Sequence, residues 1–131
     1  MTTILLCADT DVEQVSKQVA SITTLPLETD AVRVVVYHVF RTDGGDADAG
    51  DLKSVSHAVA ELEEAGFDVE IAQSSGDAVR NILEMAAEID ADHISIAGRK
   101  RSPTGKALFG SVAQQVTLRS ARPVLFSAAS E

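Results

Sequence analysis

An α/β fold, with an open five-stranded parallel sheet and helices on both faces in a Rossmann-like layout, is what this chain predicts, as one domain over residues 1–131. Three observations predict it. Short apolar runs alternate with amphipathic segments in the order β-α-β-α-β-α-β-α-β. The first run lacks period-two alternation, as a strand buried on both faces does. Each interval between runs is long enough for a helix to carry the chain back across the sheet, and such crossovers are right-handed. At 131 residues with 45% hydrophobic side chains, the chain suits a single packed core.

The first strand is 4-ILLCAD-9, an apolar run that ends on an acid. In 10-TDVEQVSKQVASITTL-25, Val12, Val15, Val19 and Ile22 recur at helical spacing. Thr10 and Glu13 stand at capping-box distance at its start. The run 32-VRVVVYHVF-40 is dense in β-branched residues and predicts a central strand. A polar loop, 41-RTDGGDADAGD-51, leads to a helix with Leu52, Val55, Val59 and Leu62 on one face and Gly66 as its stop. The alternating 67-FDVEIAQ-73 predicts a more exposed, edge strand. Ser75-Gly76-Asp77 opens a third helix bearing Val79, Ile82, Leu83, Ala86 and Ile89. The strand 93-HISIAG-98 follows. A fourth helix starts near Gly110-Ser111 with Val112 and Val116 on its apolar face, and Arg119 suits the dipole at its end. The last strand is 123-PVLFSA-128, with Pro at a position where no ladder donor is needed.

Composition narrows the function. Twenty acidic residues oppose eleven Lys and Arg, for a net charge of −9, which opposes general binding to nucleic acid. Four Phe, one Tyr and no Trp give little stacking surface for single strands. The lone Cys7 excludes an internal disulfide and suits a reducing compartment. No apolar run approaches the ~20 residues of a membrane span. The opening MTTILLCADTD lacks the basic start of a signal peptide. The expectation is a soluble cytoplasmic protein. Its acidity also suits a salt-rich cytoplasm, where at ~1 M salt a Debye length of ~3 Å lets local contacts outweigh distant repulsion.

Against that acidity, 98-GRKRSPTGKALFGS-111 gathers Arg99, Lys100, Arg101 and Lys106 between glycines. Gly98 ends a strand, where the lack of a Cβ admits a ligand to the backbone. Gly110-Ser111 begins a helix whose first N–H groups are unpaired and together electropositive. An anion there would accept from backbone and hydroxyl. The alternatives are a solvated basic loop, and a Ser111 that caps its own helix through its capping-box spacing with Gln114. The segment is no P-loop: six residues separate Gly98 from Gly105, and Ala107 follows Lys106 where a hydroxyl would meet Mg²⁺. The acidic loop is no calcium loop either, since a frame from Asp46 puts His57 where a bidentate Glu belongs.

Asp9, at a strand's carboxyl end, either accepts from ribose or adenine donors or serves loop amides and the next helix. His38, His57 and His93 are dispersed, Cys7 reads as core, and no nucleophile–base order or metal cluster is evident. A binding module is predicted rather than an enzyme, with slow ATP hydrolysis the most the sequence would support.

Together, 4-ILLCAD-9, 76-GDAVRNILEMAAEIDADHISIAG-98, the basic loop, 110-GSVAQQV-116 and 122-RPVLF-126 resemble the universal stress protein family of the UspA type over essentially the whole chain. The loop GRKRSPTGK is similar to that of haloarchaeal members. The resemblance implies an adenine nucleotide alpha hydrolase-like fold, a homodimer, a role in stress response, and bound ATP or AMP, with Mg²⁺ as a companion. The family's nucleotide signature is Gly, two residues, Gly, nine residues, then Gly-Ser or Gly-Thr. By similarity Gly98 is its first glycine, and Gly110 and Ser111 close it beside the phosphates. Asp9 and Val39 match the ribose and adenine contacts, and Ala8, Thr10, Ala97, Arg99 and Val112 complete the implied nucleotide site. Arg101 replaces the second glycine, and Gly98 to Gly110 spans twelve positions where the pattern has thirteen. Its side chain either fills the phosphate cradle or clamps phosphate oxygens. Because the family also includes members without nucleotide, the alternative is a regulatory or scaffold dimer whose basic loop meets a protein partner. Neither reading involves nucleic acid or membrane.

Overall fold

The computed structural model describes residues 1–41, 47–99 and 110–129. Its five strands are β1 (Thr2–Cys7), β2 (Val32–Phe40), β3 (Asp68–Ser75), β4 (His93–Arg99) and β5 (Val124–Ala129). The helices between them are α1 (Val12–Thr23), α2 (Lys53–Glu64), α3 (Ala78–Glu88) and α4 (Ser111–Arg119). All four strand pairings are parallel, in the order β3-β2-β1-β4-β5. The predicted α/β class, the central place of 32–40 and the edge place of the alternating strand all hold.

Two apolar layers sandwich the sheet. On one face α1 and α2 cover Ile4, Leu6, Val34 and Val36; on the other α3 and α4 cover Leu5, Val35, Tyr37, Ile94 and Ile96. Successive strand residues point to opposite faces, so a strand apolar at every position must be covered twice. Each fully buried Leu, Ile or Val contributes ~1.5–3 kcal/mol of transfer free energy.

Local expectations were met unevenly. Gly66 does stop α2: it has φ 101°, with Gly66 N–H bonded to Glu63 O and Phe67 N–H to Leu62 O. Asp90 ends α3 the same way at φ 50°, with Ala91 N–H bonded to Ala86 O. The capping box at Thr10 is not formed. Asp11 caps α1 instead, its carboxylate accepting from Glu13 and Gln14 N–H at 2.9 and 3.4 Å. Nor does Ser111 cap α4: the cap is Gly110, and Ser111 Oγ accepts from Gln115 Nε2 at 3.3 Å. The buried face of α4 is Ala113 and Val116, one position round from the predicted Val112, which is exposed.

The amino edge of the sheet is closed by side chains. Asp92 carboxylate accepts from Thr3 N–H at 2.8 Å, while Asp92 N–H donates to Thr3 O at 2.8 Å. Arg122 donates to Ala91 O at 2.5 Å and pairs with Asp90 at 3.0 Å.

Candidate functional site

The winding reverses at β1. From it the chain moves outward to β2 and β3, then crosses to β4 and β5 on the other side. The last β1–β4 pair is Leu6↔Ser95; beyond it β1 stays with β2 through Cys7↔Tyr37, and β4 stays with β5 through Arg99↔Ala129. The sheet forks there, at its carboxyl edge, where doubly wound sheets form their crevices. A cleft of about 190 Å³ opens above the fork. Cys7, Ala8, Ile96 and Ala97 line it, with Tyr37, His38 and Val39 of β2, Arg41 just past that strand, Asp9 before α1 and Gln14 in its first turn. Gly76, ahead of α3, and Ala78 and Ile82 of α3 line it together with Val112 and Ala113 of α4. That volume is below the ~300–1,000 Å³ of drug-sized sites and suits one ring system, with the rest of a ligand lying over the strand ends.

Three consecutive main-chain carbonyls hold the exit of β1, each through a side chain from another element. Cys7 O accepts from Gln18 Nε2 at 3.1 Å. Ala8 O lies 2.7 Å from His38 Nδ1, and since a carbonyl only accepts, that nitrogen carries the proton. Asp9 O accepts from Ser54 Oγ at 2.6 Å. The backbone that presents Asp9 is thereby fixed, and Asp9 Oδ1 turns to Thr10 N–H at 2.8 Å.

The helix starts around the cleft are not equivalent. Asp11 fills the amide end of α1, and Asp77 that of α3, accepting from Arg80 N–H at 3.3 Å. Both bring a negative charge of their own. Gly110 caps α4 with no side chain, at φ 81° and ψ 156°, a conformation almost restricted to glycine. Among the described residues, a Cβ built there would meet nothing within 4 Å. No side-chain hydrogen bond from the cap reaches the first amides of α4, beside Val112 and Ala113, and such a helix start suits an anion.

Of the residues the sequence singled out, Ala8, Asp9, Val39, Ala97 and Val112 line the cleft. Thr10 adjoins Asp9, Gly98 lies in β4 opposite Ala128, Arg99 is the final β4 residue, and Gly110 and Ser111 start α4. Arg101 and the rest of the basic segment lie outside the described residues. Sequence reasoning missed Gln14, Gln18, Tyr37, His38, Arg41 and Ser54. Gln18 had a signal: Val15, Gln18, Val19 and Ile22 form the true buried stripe of α1, and a carboxamide on such a stripe asks for a partner.

Cys7, read as core, is half-buried and lines the cleft. Burial pushes its thiol up to about 12, so it stays protonated and un-nucleophilic at neutral pH. Burial likewise raises the Tyr37 phenol, against the lowering effect of its hydrogen bond with Ser74. Among the described residues no group of three or more His, Cys, Asp or Glu could hold a metal ion, and no helix is long and apolar enough to cross a membrane.

The model of the universal stress protein family matches residues 3–127. A universal stress protein of Mycolicibacterium smegmatis is 39% identical over 92 residues, 66% of this chain and 71% of that one. A solved universal stress protein of Archaeoglobus fulgidus superposes with TM-score 0.77 at 28% identity, covering 97% of this chain and 98% of its own. A universal stress protein in complex with cAMP gives TM-score 0.73 at 20% identity, over 98% and 97% of the two chains. An Arabidopsis thaliana family protein with AMP bound gives 0.72 at 13% identity, over 98% and 92%.

Proposed function

The chain belongs to the universal stress protein family, and on that premise we propose that its cleft binds an adenine mononucleotide. ATP or AMP enters with the base between Val39 and the fork, the ribose at Asp9 and the phosphates over the start of α4. Ala8, Thr10, Ala97 and Val112 border the base and ribose. Gly98, Gly110 and Ser111 leave the phosphates room and donors, and Arg99 and Arg101 supply charge. Mg²⁺ would arrive with the phosphates of ATP. The observation that carries the reading is the cleft at the forked carboxyl edge, ending on a helix start whose cap has no side chain. The cAMP and AMP in two fold neighbours support the choice of ligand.

The chemistry fits. Adenine buries apolar faces against Ile96 and Ala97 while its edge meets main-chain groups, and ribose hydroxyls donate to the Asp9 carboxylate, whose Oδ1 accepts from Thr10 N–H. Phosphate at an uncapped helix start gains ~0.3–2 kcal/mol from the dipole before any side chain contributes. Binding, without turnover, is the activity proposed. Isothermal titration at high salt with AMP and ATP is the test. Uptake by the wild type and loss of most of the heat in Asp9→Ala are expected; no heat from folded protein refutes the reading.

Self-association is proposed alongside, through β5. That strand is a sheet edge, with Val124, Leu125 and Phe126 half-buried and Leu118 of α4 nearby in sequence and 76% exposed. An apolar strand at the edge of the sheet favours a second copy. Light scattering giving a dimer at micromolar concentration supports this, and a strict monomer refutes it. A dimer that takes up no nucleotide would instead favour a scaffold whose basic segment meets a protein partner.

A further inference from the structure

We propose that Gln18 is a positioning residue for the cleft, a carboxamide strut that holds β1 and β4 apart where the two strands part. The proposal rests on the reading of the cleft as the ligand site and adds what sets its width.

Gln18 is fully buried in the middle of α1, on the stripe with Val15, Val19 and Ile22. Its Nε2 lies 3.1 Å from Cys7 O, 3.2 Å from Ser95 O and 3.3 Å from Ser95 Oγ. Those two carbonyls sit on opposite arms of the fork, at and just past the last β1–β4 pair, Leu6↔Ser95. A parallel ladder continued one step further would recruit such carbonyls; here one amide group serves both. Two acceptors on either side of one nitrogen also fix the amide's orientation, because the flipped form would set Oε1 against both oxygens.

The other half of the carboxamide argues against a role in stability alone. Oε1 is buried and has no hydrogen-bond partner among the described residues. A buried unsatisfied polar atom costs about 1–3 kcal/mol, and an aliphatic side chain of similar volume would avoid it at this position. What an aliphatic side chain would not do is bridge the arms. Cys7, Ala8, Ile96 and Ala97, the residues next to the bridged carbonyls, line the cleft. A strut between the arms sets how far apart those lining residues lie.

The test uses the full chain and Gln18→Leu, with Ile22→Val as a control on the same helix stripe away from the fork. Gln18→Met, unbranched and of equal reach, serves should leucine disturb the helix. Amide hydrogen exchange without ligand is read at Cys7, Ala8, Ile96 and Ala97, and AMP affinity by titration. With the bridge between the two carbonyls lost, exchange at the fork should quicken and AMP should bind about tenfold more weakly, with Ile22→Val unchanged in both. Fork exchange like wild type in both Gln18 variants, or an equal change in Ile22→Val, overturns the strut. If the wild type itself takes up no AMP, the nucleotide reading fails while the exchange data still decide the strut.

Discussion

The two edges of the sheet are built to opposite ends. At the amino edge each loose end is tied: Asp92 brackets Thr3, Arg122 ties Ala91 and Asp90, and α2 and α3 end in closed left-handed turns at Gly66 and Asp90. At the carboxyl edge the strands fork, Gly110 leaves a helix start bare, and side chains from α1, β2 and α2 hold the three carbonyls of the β1 exit. The described ties of the amino edge and those of the carboxyl edge involve different residues. One consequence is that substitutions at the two edges should separate folding from binding.

The largest expected effect lies toward the amino edge. Leu62 is fully buried and its carbonyl closes the α2 stop, so Leu62→Ala should cost ~2–5 kcal/mol of stability. Chemical denaturation measures that loss, and AMP affinity should match wild type where the variant is folded. A parallel loss of affinity would break the separation. The next effect belongs to the carboxyl edge. Gly110→Ala places a Cβ in a conformation costing ~1–3 kcal/mol, which α4 relieves by re-turning its start. Nucleotide affinity should fall more than thermal stability does; the reverse would show that the bare cap serves folding.

The smallest effect is a pH dependence. Cys7 ionises near 9.0 when unfolded and at about 12 when folded. Between those values the folded chain holds the extra proton, so its contribution to stability is full below pH 9 and is lost as pH rises to about 12. Tyr37, also raised, acts in the same direction above 10.0. Melting from pH 9 to 11 should therefore decline less steeply in Cys7→Ala than in wild type. Equal slopes would show that the Cys7 site is wetter than its burial implies.

Much of this was legible in the sequence, and the part that was not has a physical cause. β-Branched runs and helical spacing fix strands and helices because burial acts on every residue of an element, and so the element order could be read directly. The places of Asp9 and Ala97 along the cleft were readable because strand ends are marked locally. Gln18, His38 and Ser54 were not, since each acts on a carbonyl 11, 30 or 45 residues away. Caps misled as well. Thr10, Asp11 and Ser111 all have capping chemistry, yet Asp11 and Gly110 hold the cap positions.

The three tethered carbonyls also fix when the cleft comes into being during folding. Their partners come from α1, β2 and α2, at separations of 11, 30 and 45 residues, so the β1 exit takes its final shape only after all three have docked and those loops have closed. Ligand uptake by a refolding chain would then trail the return of helical signal. The delay between the two would time the last assembly step.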